Sequence, residues 1–265
     1  AGLIAAAIIS GTVSYLTLAS YEDSEAINHF NNVADYANSA MAVDFTEKKN
    51  AILAISKNMA LYKSNVSEWP NVVVPGFYDL GPQQRDSVNL GDISFLPIVQ
   101  PAELTTFENF MYDEYYANAK AVNATKAGIR PPGLKGVYAY GLDYSTYHDV
   151  NGTTLVYNSP NKILVPLLQV LFSTSFHETD LALNMHSFAG SGTSMDLIIE
   201  CSKNHNYSEA VTKCVYLQDL LPLPLGCTDA CVNNYYSSFF QPIYLNHNSS
   251  QLVGFINGGF DWVTL

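Results

Sequence analysis

The chain of 265 residues carries 24 Asp and Glu against 12 Lys and Arg, a formal charge of −12. Such a surface repels phosphate backbones and argues against nucleic-acid binding. Hydrophobic residues make up 48%, with 18 Tyr and 13 Phe, which supplies a substantial core and is not the composition of a disordered chain. The sequence begins with Ala and ends within the apolar run DWVTL, so a longer parent protein is expected.

Ala1–Tyr21 (AGLIAAAIISGTVSYLTLASY) has no charged residue. At about 1.5 Å per helical residue it spans roughly 31 Å, close to the hydrocarbon thickness of a bilayer. A transmembrane helix over residues 1–21 is expected, though the segment is rich in Ala, Gly, Ser and Thr and only moderately hydrophobic. A signal-peptide remnant, with Thr17-Leu18-Ala19 as a small-residue cleavage site, and a buried core helix are the alternatives. Ser24 then offers a helix cap, with Glu22 and Asp23 near the positive end of the dipole. Ile27, Phe30, Ala34, Ala37, Met41, Phe45, Ile52, Ile55, Met59 and Tyr62 follow, mostly in steps of three and four, and only Lys48 interrupts the stripe. The spacing predicts a stalk helix over residues 22–65 with one apolar seam. A break near Asn38-Ser39, giving two core helices, is the alternative.

Pro70 and Pro75 end the helical pattern. Val72–Phe77 and Ile93–Val99 read as strands. Ala102–Gly128 reads as a helix after Pro101, and GIRPPGLKG as a loop. Val137–Leu142 and Thr153–Asn158 are expected to form strands joined by a turn around Asp149-Val150-Asn151-Gly152. Ile163–Phe172 fits helix or strand. Ser175–His186 and Ser208–Leu221 read as helices, and Phe239–Leu245 and Leu252–Trp262 as a terminal antiparallel hairpin. The order favours an α+β fold with antiparallel sheets.

All four cysteines lie within a short stretch: Cys201, Cys214, Cys227 and Cys231. An even, clustered set fits disulfides in an oxidising compartment, and the pairing Cys201–Cys214 with Cys227–Cys231 closes two local loops. Their spacing lacks the close pairs of a thiolate zinc site; buried free thiols are the alternative. Five glycosylation sequons begin at Asn65, Asn123, Asn151, Asn206 and Asn248, which places residues 22–265 on the extracellular side.

No catalytic motif emerges. His177-Glu178-Thr179-Asp180-Leu181 opens like a zinc-protease helix but has Leu181 where the second His belongs. Ala189-Gly190-Ser191-Gly192 lacks the first Gly of a nucleophile elbow and continues into neither a dinucleotide fingerprint nor a Walker lysine, so it reads as a flexible loop. Asp143, His148 and Asp149 fall near one strand end and read as a solvated turn, with a metal or acid–base site as the alternative. No enzyme activity, cofactor or metal is expected within these residues.

Three segments in order, FTEKKNAILAISKNMALY, ISFLPIVQPAELTTFENF and PIYLNHNSSQLVGFINGGFDW, resemble the CHASE-type extracellular sensor of receptor histidine kinases and receptor nucleotide cyclases. The overall character is most similar to receptor-type guanylate or adenylate cyclases of diatoms and related algae. The match spans roughly residues 41–265, with the middle from about residue 144 to 234 poorly covered.

The resemblance implies a stalk carrying two stacked PAS-like domains, here 66–190 (membrane-distal) and 191–265 (membrane-proximal). It further implies a small-molecule ligand in the distal one and a catalytic domain beyond Leu265. Candidate ligand-binding residues on that expectation are Phe95, Phe110, Tyr138, Tyr140, Asp143 and Tyr157. Aromatic faces with one carboxylate suit a small flat or amine-bearing ligand. A homodimer through the stalk and a membrane anchor are the expected partners. A surface glycoprotein of adhesive or structural role, or a membrane-tethered hydrolase, are the rival functions.

Overall fold

The computed structural model describes residues 2–115, 136–140, 146–149, 152, 157, 159–172, 181–221 and 236–261. The fold is mixed α+β, with a long N-terminal helix and antiparallel sheets. The chain divides into two compact units, residues 1–46 and 47–265.

Helix α1 runs over Gly2–Tyr62 without interruption. No break falls at Asn38-Ser39: the Ser39 hydroxyl donates to the Asp35 carbonyl at 2.8 Å and the Thr46 hydroxyl to the Ala42 carbonyl at 2.7 Å. Back-bonding of this kind lets polar residues sit within a helix while the backbone ladder continues. The apolar seam has two environments. Ile27, Phe30 and Met41, in the first unit, are 60%, 71% and 43% exposed, whereas Ile52, Ile55 and Met59, in the second, are buried. Lys48, the break in the stripe, is also buried. Past Tyr62 the Trp69 indole donates to the Lys63 carbonyl at 3.0 Å, satisfying one acceptor that a helix end leaves open. Among the described residues no helix is long and apolar enough to cross a membrane.

The second unit is built on a five-stranded antiparallel sheet in the order β4-β1-β7-β6-β5. Its strands are β1 (Asp92–Pro97), β4 (Gln169–Phe172), β5 (Tyr216–Leu221), β6 (Tyr236–Tyr244) and β7 (Leu252–Asp261). The expected terminal hairpin is β6–β7, in register from Tyr236↔Asp261 to Ile243↔Gly254. Pro242 lies past Tyr216↔Phe240, the last β5–β6 pair, so its missing N–H interrupts no rung on that side. Strands from both sides of the boundary expected at residue 190 share this one sheet.

Alternation gives the sheet two faces. On one, the Ser56 hydroxyl of α1 donates to the Pro242 carbonyl at 2.7 Å, and a Cβ on Gly258 would lie 2.8 Å from Ile52 Cγ1. Gly258 therefore lets the end of α1 lie close on the strands. The other face carries Leu96, Phe240 and Phe255, packed with Met195 and Ile198 of α4 (Ala189–Asn204) and Val211 of α5 (Tyr207–Lys213). Burial of each such side chain is worth about 2 kcal/mol.

Several expectations need correction. Val72–Phe77 is not a strand: Val74 N donates to the Gln169 side chain at 2.6 Å instead of to a ladder, and α2 (Phe77–Ser87) follows. Ala102–Gly128 begins as α3 (Leu104–Asn109) and widens to a π turn over Phe110–Tyr115; the rest lies outside the described residues. Strand β2 (Tyr138–Tyr140) pairs with β3 (Thr146–His148), nearer in sequence than the Thr153–Asn158 expected. The described end of Ser175–His186 is not α-helical, because Leu183 bridges Tyr138 and Asn184 bridges Pro166. Ser208–Leu221 is helical only through Lys213. Cys214 then ends the helix, bonded to Cys201 with an S–S distance of 2.06 Å, and the apolar run continues as β5. Ala189-Gly190-Ser191-Gly192 is the first turn of α4 rather than a flexible loop. A Cβ on Gly192 would meet the Tyr157 ring at 2.3 Å and the His186 carbonyl oxygen at 2.5 Å, so the lack of a side chain permits close packing there.

Candidate functional site

The six candidate ligand residues do not share one setting. Phe95 is buried in β1 with its ring edge-on to Trp69, centroids 6.0 Å apart. Phe110 opens the π turn against Phe107. Tyr138 is buried on β2, Tyr140 ends the same strand, and Asp143 lies outside the described residues. Tyr157 is committed elsewhere: its hydroxyl donates to Asp196 Oδ2 at 2.7 Å.

That carboxylate is a hub. Asp196, on α4, also accepts from the Ser159 hydroxyl at 2.6 Å and from Asn161 Nδ2 at 2.8 Å, and it meets His186 Nε2 at 3.0 Å. Burial alone would push this carboxyl up. The bonds from His186, Ser159, Tyr157 and Asn161 outweigh burial and bring it down to about 2. Burial and the bond to Asp196 in turn raise the Tyr157 hydroxyl.

Ser, His and Asp are together here, but not as a nucleophilic triad. Both Ser159, at 3.3 Å, and Asp196 meet the same imidazole nitrogen, whereas a triad needs the two ring nitrogens divided between nucleophile and acid. The other nitrogen, His186 Nδ1, is buried and has no hydrogen-bond partner among the described residues. The cluster ties Tyr157, Ser159, Asn161 and His186 to α4. Sequence reasoning missed it because its members lie 10 to 39 positions from Asp196 and form no local motif.

A second polar group crosses the sheet beneath α4. Register places Asp92, Gly259, Ser238 and Gln218 in one row, and Ser94 beside Asn257 in the next. Ser94 Oγ donates to Asp92 Oδ2 at 2.9 Å, and Asn257 Nδ2 reaches the same oxygen at 3.4 Å. Ser191 and Ser238 hydroxyls both donate to Gln218 Oε1, at 2.9 and 3.0 Å. Asp92 Oδ1, Asn257 Oδ1 and Gln218 Nε2 are buried without a partner among the described residues. Burial pushes the Asp92 carboxyl up to about 7, against the bonds from Ser94 and Asn257 and the charge of Arg85.

The solvated turn expected at His148 and Asp149 takes a different form. Asp149 is buried and accepts from Asn184 Nδ2 at 2.9 Å, while His148 pairs with Glu108 at 2.6 Å. Cys201, His205 and Cys214 lie close enough to suggest a metal centre, but the S–S bond takes both sulfurs out of the thiolate form a metal needs. Cys227 and Cys231 lie outside the described residues.

Asn65, Asn206 and Asn248 are exposed. Each accepts a hydrogen bond from the Ser two positions on: Asn65 and Asn248 from its backbone N–H at 3.1 and 3.0 Å, Asn206 from the Ser208 hydroxyl at 2.8 Å. Asn123 and Asn151 lie outside the described residues.

Among the described residues there is a cleft of about 480 Å³. It lies between residues 160–163, the end of β1, the last turns of α4 and the β6–β7 connection, and none of the six candidate ligand residues lines it. No protein-family model matches the chain, and no curated protein matches it.

Proposed function

We propose that residues 22–265 are the extracellular ligand-sensing region of a transmembrane signalling receptor, anchored through residues 1–21. Its output is a cytoplasmic nucleotide cyclase or histidine kinase. The observation that carries this reading is the division of the α1 seam: Ile52, Ile55 and Met59 are buried in the second unit, whereas Ile27, Phe30 and Met41 remain exposed at the same spacing. A helix seated on a folded domain at one end, with an apolar stripe at the other, suits a stalk that pairs with a second copy.

The three segments that carry the CHASE resemblance add support. They fall on the end of α1, on β1 and α3, and on β6–β7, and β1, β7 and β6 are neighbours in one sheet. A five-stranded antiparallel sheet covered by helices also supports the PAS-like reading, in one sheet rather than a tandem. The mechanism is population shift: a ligand that favours one arrangement of the sheet domain biases the end of α1 packed on it. Exposed sequons suit an adhesive surface glycoprotein equally well, and that reading predicts no stalk pairing.

Cysteine cross-linking tests the pairing. Phe30→Cys lies on the seam and Asn32→Cys about 200° around the helix. Oxidation of the membrane-bound protein is expected to give at least about fivefold more covalent dimer from Phe30→Cys than from Asn32→Cys. Equal yields, or none from Phe30→Cys, contradict a dimeric stalk.

A further inference from the structure

The cleft has a chemistry of its own. Its lining includes four aliphatic side chains, Ile98, Ile163, Ile199 and Leu252, and two lysines, Lys162 and Lys203. Of its 12 lining residues none is acidic, in a chain with 24 Asp and Glu against 12 Lys and Arg. Lys162 is exposed and makes no ion pair among the described residues. Lys203 meets Glu200 at 3.1 Å, with both side chains more than half exposed, and such a pair is worth little to break. The wall beside Lys162 is held in place: Asn161 is bonded to Asp196 through its side chain, and its backbone N–H donates to Ser159 Oγ at 2.9 Å. On the far side, Ser249 is fixed by its hydroxyl bond to the His205 carbonyl at 2.7 Å.

We infer that this cleft binds a small organic anion, a carboxylate with an apolar body. The body lies against Ile98, Ile163, Ile199 and Leu252, and the charged end is drawn to Lys162 and Lys203. Given the sensor reading above, it is the ligand site of this domain. A volume of about 480 Å³ is within the usual range for a small-molecule site. The net charge of −12 disfavours anions over the surface at large, and a lining with two lysines and no acidic side chain relieves that repulsion in the cleft. Recognition by exposed lysines is screened by salt, so affinity falls as ionic strength rises.

The test uses matched pairs, acetate with acetamide, hexanoate with hexanamide, and phenylacetate with phenylacetamide. They are titrated by calorimetry into the 265-residue chain after enzymatic removal of any glycan at Asn248, which adjoins the cleft. The longer acids are expected to bind at least about tenfold more tightly than their amides. The double variant Lys162→Gln, Lys203→Gln is expected to lose that advantage while keeping its melting temperature, since both side chains are exposed. Amides that bind as well as acids, an acid preference that survives the double variant, or no acid binding up to about 10 mM each overturn the inference. Calorimetry reads binding alone, so a negative result here leaves the stalk cross-linking intact, and failure of the cross-linking leaves an acid preference standing.

Discussion

Asp92→Asn is expected to gain stability relative to the parent as pH rises from about 4 to about 8, by up to roughly 4 kcal/mol. The carboxyl is buried and its pKa stands at about 7 in the folded chain against 3.8 ordinarily. Between those values the folded state holds a proton that the unfolded state has released, so stability is highest below the lower value and falls as pH rises through the upper one. Asn is neutral throughout and can donate a hydrogen bond, as the protonated acid does. Asn257 Oδ1, buried and without a partner among the described residues, is an acceptor on the neighbouring strand. Urea unfolding of both proteins at pH 4, 6 and 8 reads the difference directly, and other titrating groups cancel in the comparison. A difference that does not change with pH would show that the Asp92 carboxyl is not raised above its ordinary value in the folded chain.

Asp196→Ala is expected to cost roughly 3–5 kcal/mol at neutral pH, because it leaves Tyr157, Ser159, Asn161 and His186 without their shared acceptor. Its pH signature runs opposite to that of Asp92. With its pKa at about 2 against 3.8, the Asp196 carboxylate contributes stability that is present above the higher value and lost as pH falls through the lower. That contribution is roughly 2 kcal/mol, and the parent should lose it in acid while the variant does not. Denaturant unfolding at pH 7 and at pH 2 checks both statements. A loss below about 1 kcal/mol at neutral pH would mean that water replaces the carboxylate at little cost. Because Asn161 lines the cleft, Asp196→Ala is also expected to loosen that wall.

The parts of the fold that sequence revealed are those governed by local pattern. The seam from Ile27 to Met59 marked a helix because its spacing repeats, and the β6–β7 hairpin was legible because alternating apolar residues flank Asn246–Gln251. Of three pairings that the sequence left open, the short loop favoured Cys201–Cys214, the bond that forms. Readings failed where distant partners decide. Val72–Phe77 has strand composition but follows Pro70 and contains Pro75-Gly76, and its backbone bonds to Gln169 instead of to a strand. Gly190 and Gly192 look like loop residues, yet they open α4 because Gln218, Tyr157 and His186 press against them. The Tyr216–Leu221 run was absorbed into a helix because short apolar runs do not distinguish the two periods. The Asp196 cluster and the basic cleft were illegible for one reason: each assembles residues from separate elements whose meeting depends on the sheet order.

The claim on which the receptor reading rests is that the sheet domain lies outside a membrane to which residues 1–21 anchor it. Synthesis of the chain in the presence of microsomes tests it most directly. The account predicts a product that resists alkaline extraction, is shielded from added protease, and loses mass on N-glycan removal through Asn65, Asn206 and Asn248. A chain released by alkali, digested by protease and unchanged by the glycosidase would contradict it.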